Sequence, residues 1–238
     1  MVCEVHLIAY TPQPARVVAS AAKLCYSPSR ASDIFGEFGG FDGLDDAAVR
    51  GFLKKLRSVG HLSPFEHASF TFAADGLSRV ASHQLVRHRI ASFSQQSQRY
   101  VRMSVPEAVT PPSISAIPEA ASVFESQVKS AADAYERLIS LGVPKEDARF
   151  ILPHGAKTSL IMTMNARELH HFFALRLCRR AQWEIRGLAG KMLALVIEAA
   201  RELFDPAGPP CLSEGRCREA QSCGRPFRAV EDILSENL

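Results

Sequence analysis

The 238-residue chain lacks a long apolar run: the longest, residues 192–197, is followed at once by Glu198. A transmembrane helix needs about 20 predominantly apolar residues, so we expect no membrane span. Glu4 and His6 interrupt the apolar start and no basic segment precedes it, which argues against a secretory signal. A hydrophobic content of 47% excludes wholesale disorder. The sequence therefore predicts a folded cytoplasmic protein with no membrane partner.

Lysine is also scarce, with seven Lys against 21 Arg. The planar guanidinium group binds phosphate or carboxylate with two parallel hydrogen bonds, which a lysine ammonium cannot do. The excess of Arg is explained either by such ligands or by the codon usage of a GC-rich genome, and composition alone favours the second. The formal net charge of +3 is too small to indicate general nucleic-acid binding.

The six cysteines do not resemble the disulfide framework of a small secreted protein, because the chain is too long for one. Cys3, Cys25 and Cys178 are scattered and are expected to be buried thiols. Cys211, Cys217 and Cys223 follow a C-x5-C-x5-C pattern, which lacks the short C-x2-C spacing common at zinc sites. Reduced thiols are the favoured interpretation, and a metal with a fourth ligand from elsewhere is the alternative.

Hydrophobic periodicity and capping residues predict an alternation of strands and helices. Strands are expected over residues 2–10, 65–74 and 158–164, and a loop over 31–43. Helices are expected over residues 14–25, 44–59, 78–89, 118–142, 165–178 and 181–204. The pattern indicates one α+β domain over residues 1–205, with an antiparallel or mixed sheet flanked by helices. A poorly patterned tail with Pro, Gly and Cys follows over residues 206–238.

The densest polar stretch, residues 84–100, contains no acidic side chain. On a helix, Gln84, Arg87 and His88 would share one face, and in an extended segment Ser97 and Arg99 would project to the same side. Arginine, amide and hydroxyl donors without carboxylates are typical of a site for an anionic, hydrogen-bonding ligand. The alternative is a solvated basic surface, and the length of the run favours the ligand site.

A second polar stripe lies on the predicted helix after Asn165, where Arg167, His171 and Leu175 recur every four residues with Arg176 beside them. The stripe indicates a site at the edge of the core, or else a surface on which Arg167 pairs with a nearby acid. Both interpretations stay open on this pattern. A third candidate, His67 beside Glu66, is more often structural than catalytic when taken alone.

Arg87, His88 and Arg89, followed after seven residues by Ser97, resemble the hallmark motif of the flavin-dependent thymidylate synthases. The resemblance extends over residues 63–185 in the same order. Its further blocks are SPFEHASFTF from Ser63, SQRY from Ser97, ARFILP around Arg149, MNAREL around Asn165 and LRLCRRAQWEI around Arg176.

The resemblance implies methylation of dUMP to dTMP. The carbon would come from methylenetetrahydrofolate, and NADPH would supply reducing equivalents through a bound FAD. It also implies a catalytic domain that assembles as a homotetramer, with active sites built from several subunits. Since the flavin supplies the hydride chemistry, no protein nucleophile is required. Cys211, which follows a Pro in the tail away from the arginine clusters, is therefore not expected to attack the uracil.

By the same resemblance, eight positions match nucleotide-binding residues: Gln84, Arg87, Gln95, Gln96, Ser97, Arg99, Arg149 and Arg176. Eight match flavin-binding residues: Ser69, Arg87, His88, Arg89, Gln95, Asn165, Arg167 and His171. Arg176 matches the catalytic arginine that polarises the uracil, a charge-stabilising role of the oxyanion-hole type. His67 matches a position near flavin and folate.

The chain departs from the family pattern at Gln95, where many members carry Glu, at Ser94, where they carry Asn, and at His171, which replaces an Asn. Two other functions remain as alternatives. One is a flavoprotein on the same scaffold that acts on another nucleotide. The other is a single-stranded nucleic-acid binder that uses the arginines and phenylalanines, which the low net charge disfavours.

Overall fold

A computed structural model describes residues 3–36, 46–103 and 107–237 of the chain. Its sheet has four antiparallel strands in the order β1-β2-β4-β3. The strands are β1 (Glu4–Tyr10), β2 (Ser69–Ser78), β3 (Ala91–Gln95) and β4 (Lys157–Asn165). The side-chain hydroxyls of Thr71 in β2 and Thr163 in β4 hydrogen-bond across the sheet at 3.0 Å. The predicted α+β class, with an antiparallel sheet and helices, is confirmed.

The longer helices are α1 (Pro14–Leu24), α3 (Asp46–Ser58), α6 (Pro118–Ser140), α8 (Ala166–Arg176) and α9 (Trp183–Phe204). Shorter ones are α2 (Ala31–Gly36), α4 (Arg79–Leu85), α5 (Pro112–Ser115), α7 (Lys145–Ala148), α10 (Pro210–Ser213) and α11 (Val230–Asn237). Single 3-10 turns cover Ser63–His67 and Arg149–Ile151. In the described part of the chain, no helix is both long and apolar enough to cross a membrane.

Helix starts follow the local sequence closely. The Ser78 hydroxyl accepts a hydrogen bond from the backbone N–H of Ala81, and the Asn165 side chain accepts one from that of Glu168. Each bond satisfies a backbone donor that the first turn of a helix leaves without a partner. The predicted starts at Ser78 and Asn165 are thereby confirmed. The reciprocal half of a capping box is not used, because the Glu168 carboxylate binds elsewhere.

The chain forms two compact units, and it passes from one to the other within each of the four strands. The first unit comprises Met1–Glu4, Ala74–Arg87 and Phe93–Ile161. In it, α6 packs against α5 and α7, and Leu77, Leu85 and Tyr135 are fully buried.

The second unit comprises Val5–Ala73, His88–Ser92 and Met162–Leu238. Helix α9 packs there against α1, α3, α8 and α11, around an aromatic core. Phe65, Phe70, Phe172, Phe173 and Phe204 are fully buried in that core.

Two predictions about the polar segment are wrong. Helix α4 ends at Leu85, so Arg87 and His88 lie beyond it and do not share a helical face with Gln84. The alternating aromatic and polar residues from Ala91 form strand β3, so helix α4 has to end before that strand begins. Ser97 and Arg99 are not extended either, because the Ser97 carbonyl accepts hydrogen bonds from Tyr100 and Val101 in a turn.

The strand predicted over 65–74 begins later, at Ser69. Pro64 opens a 3-10 turn over Ser63–His67 in its place, with the N–H of Phe65 bonded to the carbonyl of Leu62. Part of the predicted loop over 31–43 is helix α2, and its remaining residues lie outside the described part of the chain.

The predicted division at residue 205 stays a prediction, although the tail is more ordered than its composition indicates. Helix α11 packs on α9, and Phe227, Val230 and Ile233 bury their apolar side chains. Burial of such side chains stabilises each by about 1.5–3 kcal/mol. This tail segment is therefore part of the second compact unit.

Candidate functional site

The hallmark motif alternates between solvent and core. Arg87 and Arg89 are exposed, whereas His88 between them is only 3% exposed. No carboxylate pairs with Arg87 or Arg89 within the residues that the structure describes. Two unpaired guanidinium groups at the surface are suited to an anionic ligand, because they have phosphate-binding geometry and no competing counter-charge.

His88 links the buried Glu168 to Arg176 in the second unit. Its Nδ1 lies 3.0 Å from Glu168 Oε1, and the Nε of Arg176 donates to its Nε2 at 3.1 Å. Because the arginine can only donate, Nε2 must be the acceptor and Nδ1 must carry the proton. His88 is therefore the Nδ1–H tautomer, and it donates to the Glu168 carboxylate.

The electrostatics agree with a neutral His88. Burial lowers the pKa of His88 to about 4, and the neighbouring Arg176 and His171 lower it further. Burial also raises the pKa of Glu168 above its usual value, with His171 opposing the shift. The Glu168–His88 contact is thus a hydrogen bond between an acid and a neutral imidazole at pH 7. It holds the ring so that its Nε2 faces Arg176.

The other residues that match flavin-binding positions (the flavin set) include Arg167 and His171 on α8 and Ser69 at the start of β2. Arg167 forms an exposed ion pair with Glu66 at 2.5 Å, and its assignment to the flavin set stays a prediction. His171 is exposed, and its ring centroid lies 5.6 Å from that of His88. Ser69 is half-buried at the start of β2, and His67 is exposed at the end of the 3-10 turn.

Ligand atoms of His88, Glu168 and His171 lie within 4.8 Å of one another, a spacing that a metal ion could use. The Arg176 guanidinium is already hydrogen-bonded to His88 at this point, and its positive charge opposes a cation. We therefore assign these residues to hydrogen bonding and not to metal binding.

The eight residues that match nucleotide-binding positions belong to the first unit, apart from Arg176. Gln95 donates from its amide nitrogen to Thr158 Oγ1 at 3.3 Å, and the half-buried Ser97 hydroxyl accepts from the backbone N–H of Arg99. Glu146 joins two arginines: its carboxylate accepts from Arg99 Nε at 2.5 Å, and its backbone carbonyl accepts from Arg149 Nε at 3.0 Å. Gln84 is half-buried in α4, and Gln96 is exposed.

Arg79 is a candidate that the sequence analysis missed. One of its terminal nitrogens donates to the Gln96 carbonyl at 2.9 Å, while its buried Nε has no hydrogen-bond partner. Burial and, second, the positive charge of Arg149 lower the pKa of Arg79. The sequence did contain a signal for Arg79: a cation at the first position of a helix opposes the helix dipole, and such an unfavourable placement points to a functional role. Two neighbouring cations and an unsatisfied donor are features of an anion-binding site.

A cavity of about 430 Å³ lies near these residues, within the first unit. Of the predicted site residues only Gln96 lines it, and its charged lining consists of Glu4, Asp75, Glu107 and Lys157. Three carboxylates against one ammonium are unsuited to a phosphate ester. The arginine arrangement is therefore a better guide to the nucleotide than the cavity.

Comparison with known proteins agrees with the sequence resemblance. Residues 6–200 match the family model described as thymidylate synthase complementing protein. A flavin-dependent thymidylate synthase of Geobacter sulfurreducens is 52% identical over 93% of this chain and 94% of its own length. One of Clostridium tetani is 46% identical, covering 93% of each chain.

The crystal structure of a UMP/dUMP methylase from Streptomyces cacaoi bound with 5-Br dUMP has a TM-score of 0.70 and 24% identity. The match covers 84% of this chain and 92% of that one, and it shows a common fold. The family model and the sequence relatives confirm the predicted family: the chain belongs to the flavin-dependent thymidylate synthases.

Proposed function

We propose that the protein methylates dUMP to dTMP with FAD as cofactor, methylenetetrahydrofolate as carbon donor and NADPH as reductant. The relatives named above support the reaction. The geometric observation that carries it is Arg176, oriented by a neutral, buried His88. A guanidinium held in this way stabilises negative charge on a substrate without first having to reorganise.

The residues of the flavin set fit FAD. Its pyrophosphate is a double anion, and Arg87 and Arg89 are exposed cations without a carboxylate partner in the described part of the chain. Asn165, Ser69 and Arg167 provide further polar groups, and Gln95 adds an amide. When bound, FAD supplies the hydride chemistry, which no amino-acid side chain provides. The protein contributes binding and orientation.

Arg176 is the residue that we assign to the uracil ring. Burial lowers the pKa of Arg176, but a guanidinium remains charged at neutral pH. A partly desolvated cation acts more strongly on a developing negative charge than an exposed one does, because less solvent screens it. In this role Arg176 favours ionisation of the uracil, while Glu168 and His88 fix the plane of its guanidinium.

We assign the dUMP phosphate to the arginines of the first unit. Arg79 and Arg149 are like charges close enough to affect each other, and an unsatisfied donor of Arg79 is buried beside them. A phosphate dianion would relieve the repulsion and satisfy that donor. Gln84, Gln95, Gln96, Ser97 and Arg99 would supply the remaining contacts to the nucleotide.

We also propose the homotetramer that the resemblance implies. Tyr26 and Phe150 have exposed fractions of 76% and 84%, and the edge strand β1 exposes Ile8 and Tyr10. Large apolar side chains and an unpaired strand edge are commonly covered by another subunit. The mass in solution, measured by light scattering, should correspond to four chains. The cytoplasmic location stays a prediction from the sequence.

The test is to purify the protein, record the flavin absorption, and follow NADPH oxidation with dUMP, with and without methylenetetrahydrofolate. We expect bound flavin and dTMP formation only with the complete mixture. A protein that neither contains nor takes up FAD contradicts the proposal. Flavin binding with turnover of UMP but not of dUMP would favour the flavoprotein that acts on another nucleotide.

A further inference from the structure

Four of the six cysteines line one small cavity, although they come from separate parts of the chain. Cys178 lies between α8 and α9, Cys211 lies in α10, and Cys217 and Cys223 lie between α10 and α11. All four are free thiols, and each is half-buried or exposed. The structure therefore supplies the fourth sulfur that the C-x5-C-x5-C pattern of the tail lacked.

The size of the cavity limits what it can hold. Its volume is about 40 Å³. A single water needs about 10–15 Å³ of such space, so the cavity has room for one ion or a few water molecules and is far smaller than the several hundred Å³ typical of a cofactor pocket. Four sulfur donors around an ion-sized space are the ligand set of a tetrahedral metal site.

The charges around the cavity favour the anionic form of such a site. A divalent ion with four thiolates carries a net charge of −2. The arginines that line the cavity are Arg179, Arg180, Arg218 and Arg225. Three of them pair with carboxylates: Arg179 with Glu236, Arg180 with Glu219 and Arg218 with Glu214. The guanidinium groups at the cavity wall offset part of the negative charge of a tetrathiolate centre.

The Cys178 sulfur has a backbone donor. The backbone N–H of Arg180 donates a hydrogen bond to it. Backbone donors of this kind support metal-bound thiolates.

The backbone around the cavity is already shaped and tied down. Gly215 and Gly224 have φ values of +70° and +73°, so the chain turns sharply between Cys211 and Cys217 and again after Cys223. Arg180 donates to the Gln221 carbonyl at 3.0 Å. Arg179 pairs with Glu236 and lies over the Phe227 ring at 3.7 Å. These contacts attach the tail to the connection that carries Cys178.

We propose that Cys178, Cys211, Cys217 and Cys223 bind one zinc ion. Zinc–sulfur bonds of about 2.3 Å require the sulfurs to lie about 4 Å apart. Within the described residues, the group of potential ligand atoms that lie within 4.8 Å of one another is His88, Glu168 and His171, so no three of the four sulfurs are that close together. Metal binding must therefore bring the sulfurs closer, by rotation of the cysteine side chains and small shifts of the tail segment. Since Cys178 follows Arg176 by two residues, the ion would also fix the end of α8.

The test measures metal in the full-length protein, purified under reducing conditions without chelator. We expect about one zinc per chain by mass spectrometry of the metal. A mercurial that blocks thiols should release it, and a chelator should lower Tm, because an ion bound only to the folded state stabilises that state. Cobalt exchanged into the site should show the ligand-field absorption of tetrahedral thiolate coordination, at red wavelengths where oxidised flavin does not absorb.

Cys217→Ser and Cys223→Ser should lose most of the zinc, while Cys25→Ser, an exposed cysteine outside the cavity, should keep it. If the tail variants do not fold, zinc content and thiol counting on the wild-type protein decide the question. Wild-type protein that contains no zinc and takes up no cobalt overturns the proposal. So does zinc that persists in both tail variants, a disulfide among the four cysteines, or acid-labile sulfide, which would identify an iron–sulfur cluster.

Discussion

The two groups of candidate site residues differ in how far they are organised without a ligand. In the second unit, Glu168, His88 and Arg176 form a continuous chain of hydrogen bonds, with His88 and Glu168 buried. In the first unit, Arg79 and Arg149 are cations close to each other, and Arg99 has only an exposed ion pair. The group in the second unit is hydrogen-bonded without a ligand, whereas the group in the first unit lacks the anion that would bridge its cations.

The difference corresponds to the two tasks of the proposed reaction. A group that stabilises charge in the transition state must be in place beforehand, because reorganisation during the reaction would add to the barrier. A group that binds phosphate contributes mainly to affinity, and the phosphate itself can order it. Substitutions in the second unit should therefore change kcat, and those in the first unit should change KM.

The largest effect is expected for Arg176. Arg176→Ala should lower kcat for dTMP formation by about 10²-fold to 10³-fold, the usual effect of removing one charge-stabilising donor. FAD content should be unchanged, and absorption spectroscopy of the purified variant measures it. Arg50→Ala, which replaces an exposed arginine on α3, is the matched control and should retain full activity. Wild-type turnover by Arg176→Ala would remove the catalytic role from this residue.

A second prediction concerns acid stability. His88 and His170 both have lowered pKa values, to about 4 and about 3, chiefly because of burial. The unfolded chain therefore binds these protons more readily, and stability that is complete above pH 6.5 is lost as the pH falls toward 4. Each pKa unit corresponds to about 1.4 kcal/mol, so His88 alone contributes about 3 kcal/mol. Glu168, with its raised pKa, opposes part of this loss near pH 4.5.

Urea unfolding at a series of pH values measures this loss. His88→Gln keeps an acceptor and a donor for Arg176 and Glu168 but cannot titrate, so its stability should depend less on pH between 6.5 and 4. His170→Gln is the matched control on the same helix: it should also flatten the profile, without lowering kcat. If His88→Gln has the pH dependence of the wild type, His88 is not neutral in the folded protein.

The sequence predicted the features that depend on neighbouring residues and missed those that depend on contacts between distant residues. The caps at Ser78 and Asn165 depend on residues three positions away, and they were predicted correctly. The burial of His88 is linked to Glu168, 80 residues away, and local periodicity does not report such a contact. The motif resemblance identified His88 and Arg176, but only the structure joins them. Arg79 belongs to no motif quoted for the family, and its role depends on Arg149.

A third, intermediate effect is expected for the cation pair of the first unit. Arg149→Ala and Arg79→Ala should each raise KM for dUMP about tenfold to a hundredfold with little change in kcat, because charge-assisted hydrogen bonds to phosphate contribute about 1.5–3 kcal/mol. Deoxyuridine, which lacks the phosphate, provides the control: the substitutions should not weaken its binding. An equal loss of affinity for deoxyuridine would show that these arginines only maintain the fold.

The smallest effects, of opposite sign, are expected at the exposed pair of Arg99 and Glu146. Arg99→Ala should raise KM for dUMP by up to about fivefold, whereas Glu146→Gln should lower it by a similar factor, since an exposed ion pair contributes little and competes with the phosphate for the guanidinium. The side chains are 55% and 45% exposed, so salt should reduce both effects. Steady-state kinetics at low and high ionic strength measures them. If both substitutions instead raise KM equally, Glu146 orders Arg99 for the nucleotide, and this unit is more organised before binding than the arginine pair indicates.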